Sequence, residues 1–119
     1  MMSGEQNKSY REERPWGIFE QFTENEKSTV KIITVNPGQA FSLQYHEHRE
    51  ECWRVISGEG TITIGEDKFP VQAGAEFDIK PGTKHQVEAG EIPVVILEIS
   101  LGDFSEDDIV RIKDKYGRA

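Results

Sequence analysis

The chain has 119 residues with 22 acidic against 14 basic side chains, a formal net charge of −8 and a single cysteine. That length makes one domain, able to bury about 60–70% of the surface its unfolded chain would expose without disulfide staples. The acidic balance argues against nucleic acid, and the longest apolar run, "IPVVIL", is far short of the roughly 20 residues a spanning helix needs, so no membrane partner is expected. Cys52 has no internal partner, and "MMSGEQNKSYREERPWG" has no apolar stretch fit for a signal peptide, so the expected location is cytoplasmic.

In chain order, residues 1–12 are polar and aperiodic and read as a loose arm ahead of a single domain, 13–119, that starts near "RPWG". Short β-type segments then follow at hairpin spacing: 28–35, 40–46, 52–57, 61–65, 68–72, 76–80, 85–89 and 93–100. Glycine or proline punctuates nearly every gap, the pattern of a small antiparallel sandwich or barrel. The tail, "SEDDIVRIKDKYG", predicts one closing helix. Ser105 is its N-cap, Asp108 holds the capping-box position, Ile109, Ile112 and Tyr116 fall at helical spacing, and Gly117 ends it.

Two of the three histidines lie in "LQYHEHREECW". Side chains two apart on a strand share a face, so Gln44, His46 and His48 would point one way, and Glu51 and His85 could join them around a metal ion. Imidazole, amide and carboxylate donors suit one divalent transition metal ion, Zn²⁺ first, with Fe²⁺, Mn²⁺, Co²⁺ and Ni²⁺ as alternatives. Alone, an HxH pair is a weak pattern that a solvated edge would also carry. His85, after the tight turn in "IKPGTKH", supplies a third candidate from a distant strand.

Gly38, His46, His48, Glu51 and Gly58, followed by Gly74, Lys80, Gly82 and His85, resemble the two motifs of the cupin superfamily. Cys52 is the rival of Glu51 for the ligand position; Glu51 would share a face with Trp53 and Val55. "RPWG" at 14–17, "NPGQAFSLQYHEHREECWRVISGEG" at 36–60, "IKPGTKH" at 79–85 and "EDDIVRIKDKYGR" at 106–118 are similar to the type II phosphomannose isomerase domain. That domain is usually the C-terminal half of a bifunctional mannose-1-phosphate guanylyltransferase/mannose-6-phosphate isomerase, and here the isomerase-like cupin is expected to stand alone. Three positions depart from the pattern: Cys52 replaces a common histidine, Gln86 a frequent arginine and Ala89 a common asparagine.

The resemblance implies an all-β double-stranded β-helix barrel with metal ligands His46, His48, Glu51 and His85, interconverting mannose 6-phosphate and fructose 6-phosphate or a related sugar phosphate. Such isomerisation needs a Lewis acid on the oxygens and a base near the carbons. Glu98 is the candidate base, because it is a lone carboxylate in a segment apolar on both faces; an ion pair with an arginine is its structural alternative. Lys84, beside His85, is the candidate cation nearest the metal, with a catalytic or phosphate-binding part. Gln44 and Arg111 are further substrate candidates, and Arg14 and Arg118 could converge on the same mouth. Trp16 and Trp53 are assigned first to the core, and Cys52 to an inert buried thiol. An iron-dependent dioxygenase and a non-catalytic metal-containing sugar-binding cupin are the competing functions. A homodimer with the N-terminal segment crossing over is the expected assembly.

Overall fold

The computed structural model describes residues 9–118. Eleven strands are found: β1 Tyr10–Arg14, β2 Gly17–Gln21, β3 Ser28–Val35, β4 Leu43–Tyr45, β5 Glu50–Ser57, β6 Gly60–Ile64, β7 Asp67–Pro70, β8 Glu76–Ile79, β9 His85–Ala89, β10 Val94–Leu101 and β11 Val110–Lys113. They form a two-stranded sheet β1-β2, a four-stranded sheet β3-β10-β5-β8 and a five-stranded sheet β11-β4-β9-β6-β7. Every pairing among these strands is antiparallel. The two larger sheets remain open at their edges, so the expected barrel is a sandwich of two unclosed sheets.

Consecutive strands mostly do not pair. From β3 to β4, β4 to β5, β5 to β6, β7 to β8, β8 to β9, β9 to β10 and β10 to β11 the chain crosses from one large sheet to the other. Only β1-β2 and β6-β7 are sequence-adjacent partners. The glycines read from the sequence as hairpin turns therefore serve as corners. Gly58 and Gly60 sit where β5 hands over to β6, at φ +124° and +152°. A Cβ on Gly58 would come within 2.4 Å of the Pro93 carbonyl oxygen, and one on Gly60 within 1.9 Å of that of Glu88. Backbone passes over backbone there, which only glycine permits.

Strand alternation fills the space between the sheets. Trp53 and Val55 of β5, Val94 and Ile96 of β10, and Phe77 and Ile79 of β8 face Ile62 and Ile64 of β6 and Val87 and Ala89 of β9 in one buried cluster. Trp53 is thus a core residue, as expected. Trp16 is not: it caps the β1–β2 turn and is 72% exposed.

Two further expectations are corrected. Residues 10–12, assigned to the loose arm, open β1; residues 1–8 of that arm lie outside the described residues. The hairpin's base is fastened to the four-stranded sheet, where Arg54 pairs with Glu20 at 2.6 Å and the Ser9 amide donates to Glu76 at 2.6 Å. The closing helix is absent as well. Ser105 does cap a turn, its hydroxyl accepting the Asp107 N–H at 3.2 Å, but the chain then extends and β11 adds to the edge of β4. The β-branched Ile109, Val110 and Ile112 suit that edge better than an isolated helical turn, and tertiary pairing overrides the capping signal.

Candidate functional site

The HxH segment lies at a corner, because β4 ends at Tyr45 and residues 46–49 carry the chain across to β5. The strand parity expected for His46 and His48 is therefore broken. His46 turns inward and is 2% exposed, whereas His48 is solvent-exposed and outside the cluster. Glu51 enters from β5 and His85 from the first position of β9, both buried. Ligand atoms of His46, Glu51 and His85 all lie within 4.8 Å of one another, a grouping that could hold a metal ion.

Each of the three is oriented by a second contact. The Asp108 carbonyl can only accept, so His46 Nδ1, 2.5 Å away, carries the proton and Nε2 presents its lone pair. By the same argument His85 Nδ1 donates to the Thr83 carbonyl at 2.9 Å. Its Nε2 is then a buried acceptor with no hydrogen-bond partner, and burial holds the ring's pKa below the ordinary histidine value, favouring the neutral form a metal requires. Trp53 Nε1 donates to Glu51 Oε1 at 3.0 Å, which fixes the carboxylate. His46 Nε2 and Glu51 Oε2 stand 3.4 Å apart. Bonds of about 2.0–2.2 Å at a near-tetrahedral angle set that same ligand-to-ligand spacing, so these residues fit a zinc-type ion.

Asp108, read from the sequence as a helix cap, clamps this corner instead. Its carboxylate accepts the Glu47 N–H at 2.8 Å and the His48 N–H at 3.0 Å. Partial burial opposes its charge, and the two amides outweigh that and hold its pKa below the usual aspartate value.

A cavity of about 240 Å³ opens beside the cluster, with Lys31, Gln44, Arg49, Glu98, Arg111 and Arg118 in its wall. Four of these are cations in a chain of net charge −8. A larger groove of about 470 Å³ lies by the hairpin, but Ser9, Thr23, Glu24 and Glu26 are among its lining and no histidine or cation is. Of the sequence candidates, Gln44, Glu98, Arg111 and Arg118 meet in the smaller cavity. Lys84 is exposed and outside its lining, since it precedes His85 by one residue; Arg14 pairs with Glu12 on the β1–β2 hairpin. Gln44 lies opposite His85 in register and accepts from Ser42 Oγ at 2.5 Å.

Glu98 is 6% exposed and hydrogen-bonded to Glu51. Burial, then the Glu51 charge, push its pKa up to about 7, against the opposing pull of Lys31 and Arg49. An arginine ion pair, its structural alternative, is not formed among the described residues. Two inward cations escaped the sequence reading. Lys31 sits opposite Glu98 in register, and Arg49 is 8% exposed inside the cluster. Parity was the available signal: Lys31 alternates with the inward Ile33 and Val35, and Arg49 with Glu51. Cys52 is half-buried on the opposite face, across from Asp78, and lies outside the His46–Glu51–His85 grouping.

The profile of the family described as mannose-6-phosphate isomerase C-terminal matches residues 3–114. The chain belongs to this family. Curated relatives include a mannose-1-phosphate guanylyltransferase of Klebsiella pneumoniae, 42% identical over 107 residues, with 88% of this chain and 23% of the relative covered. The xanthan biosynthesis protein XanB of Xanthomonas campestris is 39% identical over 107 residues, with the same coverage of 88% and 23%. The chain thus spans about a quarter of the length of these relatives. Among solved structures, a double-stranded β-helix protein of Klebsiella pneumoniae aligns with a TM-score of 0.64 at 24% identity, covering 77% of this chain and 80% of that one. A cupin protein of Bacteroides fragilis aligns at 0.58 and 27% identity, covering 72% and 78%. This member of the isomerase-domain family accordingly has a cupin-type all-β fold and a possible three-residue metal site.

Proposed function

We propose that the chain is a metal-dependent sugar-phosphate isomerase acting on mannose 6-phosphate and fructose 6-phosphate or a close relative. One observation carries the reading: a buried His46–Glu51–His85 cluster adjoins a cavity that combines four cations with the protonatable Glu98. His46, Glu51 and His85 would hold the ion, with zinc the first choice for two imidazoles and a carboxylate. A divalent ion bound there supplies Lewis acidity to the sugar's carbonyl and hydroxyl oxygens.

The remaining work falls to this chain's side chains. Arg111, Arg118 and Lys31 hold the phosphate at the mouth, and Gln44 orients a hydroxyl. Glu98 takes the proton from C2 of the open-chain aldose and returns it to C1, while the hydroxyl proton at O2 passes to O1, so the sugar changes only in connectivity. Its own burial, at 6% exposed, limits the access of bulk water to that proton. Lys84, off the cavity wall, keeps only a longer-range electrostatic part in this proposal.

The test is a coupled isomerase assay on both hexose phosphates, with protein stripped of metal and reloaded separately with Zn²⁺, Co²⁺, Mn²⁺ and Fe²⁺. Turnover restored by metal and absent in His85→Ala supports the reading. Hexose phosphate bound without turnover would select a binding module, and oxygen consumption with iron would select a dioxygenase.

A further inference from the structure

Arg49 sits where a metal's ligands converge. Its Nη2 lies 3.2 Å from His46 Nε2 and its Nε lies 2.9 Å from Glu51 Oε2. Those are the same two acceptor atoms that face each other at 3.4 Å. Unscreened, two lone pairs at that distance repel, and the guanidinium edge offers one N–H to each. The group is also built in: Phe104 lies with its ring centroid 4.5 Å from the guanidinium carbon, and Nη1 donates to the Ser105 carbonyl at 3.1 Å. His46 Nε2 has a single lone pair, because Nδ1 is committed to Asp108. It can serve Arg49 or a metal ion, but not both. Arg49 also forms part of the cavity wall.

We infer that Arg49 is a resident counter-cation of the cluster, which holds the metal-free site in shape and which an incoming divalent ion must displace from His46. The inference rests on the metal-centre reading above, and concerns what that ion competes with. Metal affinity is accordingly set below what the three ligands alone would give, and the stability of the metal-free protein is raised in exchange.

The experiment titrates Co²⁺ into chelator-stripped full chain, wild type against Arg49→Ala and Arg49→Lys, reading the visible ligand-field absorption, with melting temperatures before and after Zn²⁺. Arg49→Ala is expected to bind Co²⁺ about tenfold or more tightly than wild type, the factor removal of a charge-assisted competitor implies. Its metal-free form should melt lower, with the difference shrinking once Zn²⁺ is bound. Equal or weaker binding by both variants overturns the displacement while leaving the metal centre standing. Failure of wild type and variants alike to take up any ion overturns both readings. Should the variants not fold, ¹⁵N-arginine-labelled wild type decides the matter: the Arg49 Nη2–H held against His46 should become freely exchanging on adding Zn²⁺, and its continued protection would sink the inference.

Discussion

Glu98 shows how much a single buried carboxyl can be asked to do. It lies between Lys31 and Trp53 in register and shares a hydrogen bond with Glu51, so its charge is contested from both sides. Glu98→Gln keeps the shape and removes the exchangeable proton; turnover should fall by at least about a hundredfold, the lower range for loss of a general base, with bound metal unchanged in elemental analysis. Retained turnover would take Glu98 out of the mechanism. Cys52 is its counterpart on the outer face. Burial, reinforced by Asp78 and Glu50, pushes the thiol up to about 11. Only the thiolate is nucleophilic, so alkylation at pH 8 should run roughly a hundredfold slower than for a free thiol. The rate should keep climbing as pH rises toward 11, where a free thiol's would already have levelled off. The inward face of Glu51 and the burial of Glu98 were legible because strand parity and an apolar context depend on neighbours in sequence. The parity of Arg49 with Glu51 was legible too, but not that its guanidinium bridges Glu51 and His46, which requires the 46–49 corner.

At the level of elements, the decisive feature is the 46–49 corner and what pins it. Asp108 spends its carboxylate on two amides of that corner and its carbonyl on His46. Asp108→Ala should therefore cost about 1–2 kcal/mol in urea unfolding, as for loss of a capping carboxylate, and weaken metal binding only by loosening the 46–49 corner, since the backbone carbonyl that accepts from His46 remains. An unchanged metal affinity would show that the corner holds itself. The β5–β6 handover makes a harsher demand. Gly60→Ala would place a methyl 1.9 Å from the Glu88 carbonyl oxygen, and a loss of roughly 2–4 kcal/mol is expected by thermal or denaturant melting. Eight strands were legible as apolar alternation between glycines. Their order in the sheets was not, since a corner and a hairpin turn use the same residues. The tail misled for a related reason: a capping box is local, while β11 owes its form to an open edge on β4.

For the whole molecule, the balance of surface and site is the point of interest. A chain of net charge −8 gathers Lys31, Arg49, Arg111 and Arg118 at one opening, although Lys31, Arg49 and Arg118 already pair there with Glu106, Glu51 and Asp114. Exposed apolar side chains stand elsewhere on the molecule. Val30 and Ile32 on the edge strand β3 are 59% and 58% exposed, with Ile56 at 47% and Trp16 at 72% on the projecting hairpin. We propose a homodimer with a second copy on this face, since two β3 edges related by a two-fold axis meet antiparallel. Light scattering after size exclusion should give twice the mass of one chain, and Val30→Lys with Ile32→Lys should halve it. A monomeric wild type would end that proposal.

Composition, strand alternation and the motif residues by themselves determined an all-β fold, the shared face of Glu51, Trp53 and Val55, and His46, Glu51 and His85 among the candidate partners. Those properties follow from which residues neighbour one another along the chain. The tertiary structure alone decided that the sheets stay open, that His48 turns outward at the corner, that the tail becomes β11, and that Arg49 bridges His46 and Glu51. The open sheets, the 46–49 corner and β11 depend on contacts between segments far apart in sequence, where closing the chain and satisfying buried polar groups outweigh local propensity, and Arg49 reaches His46 and Glu51 only through that corner.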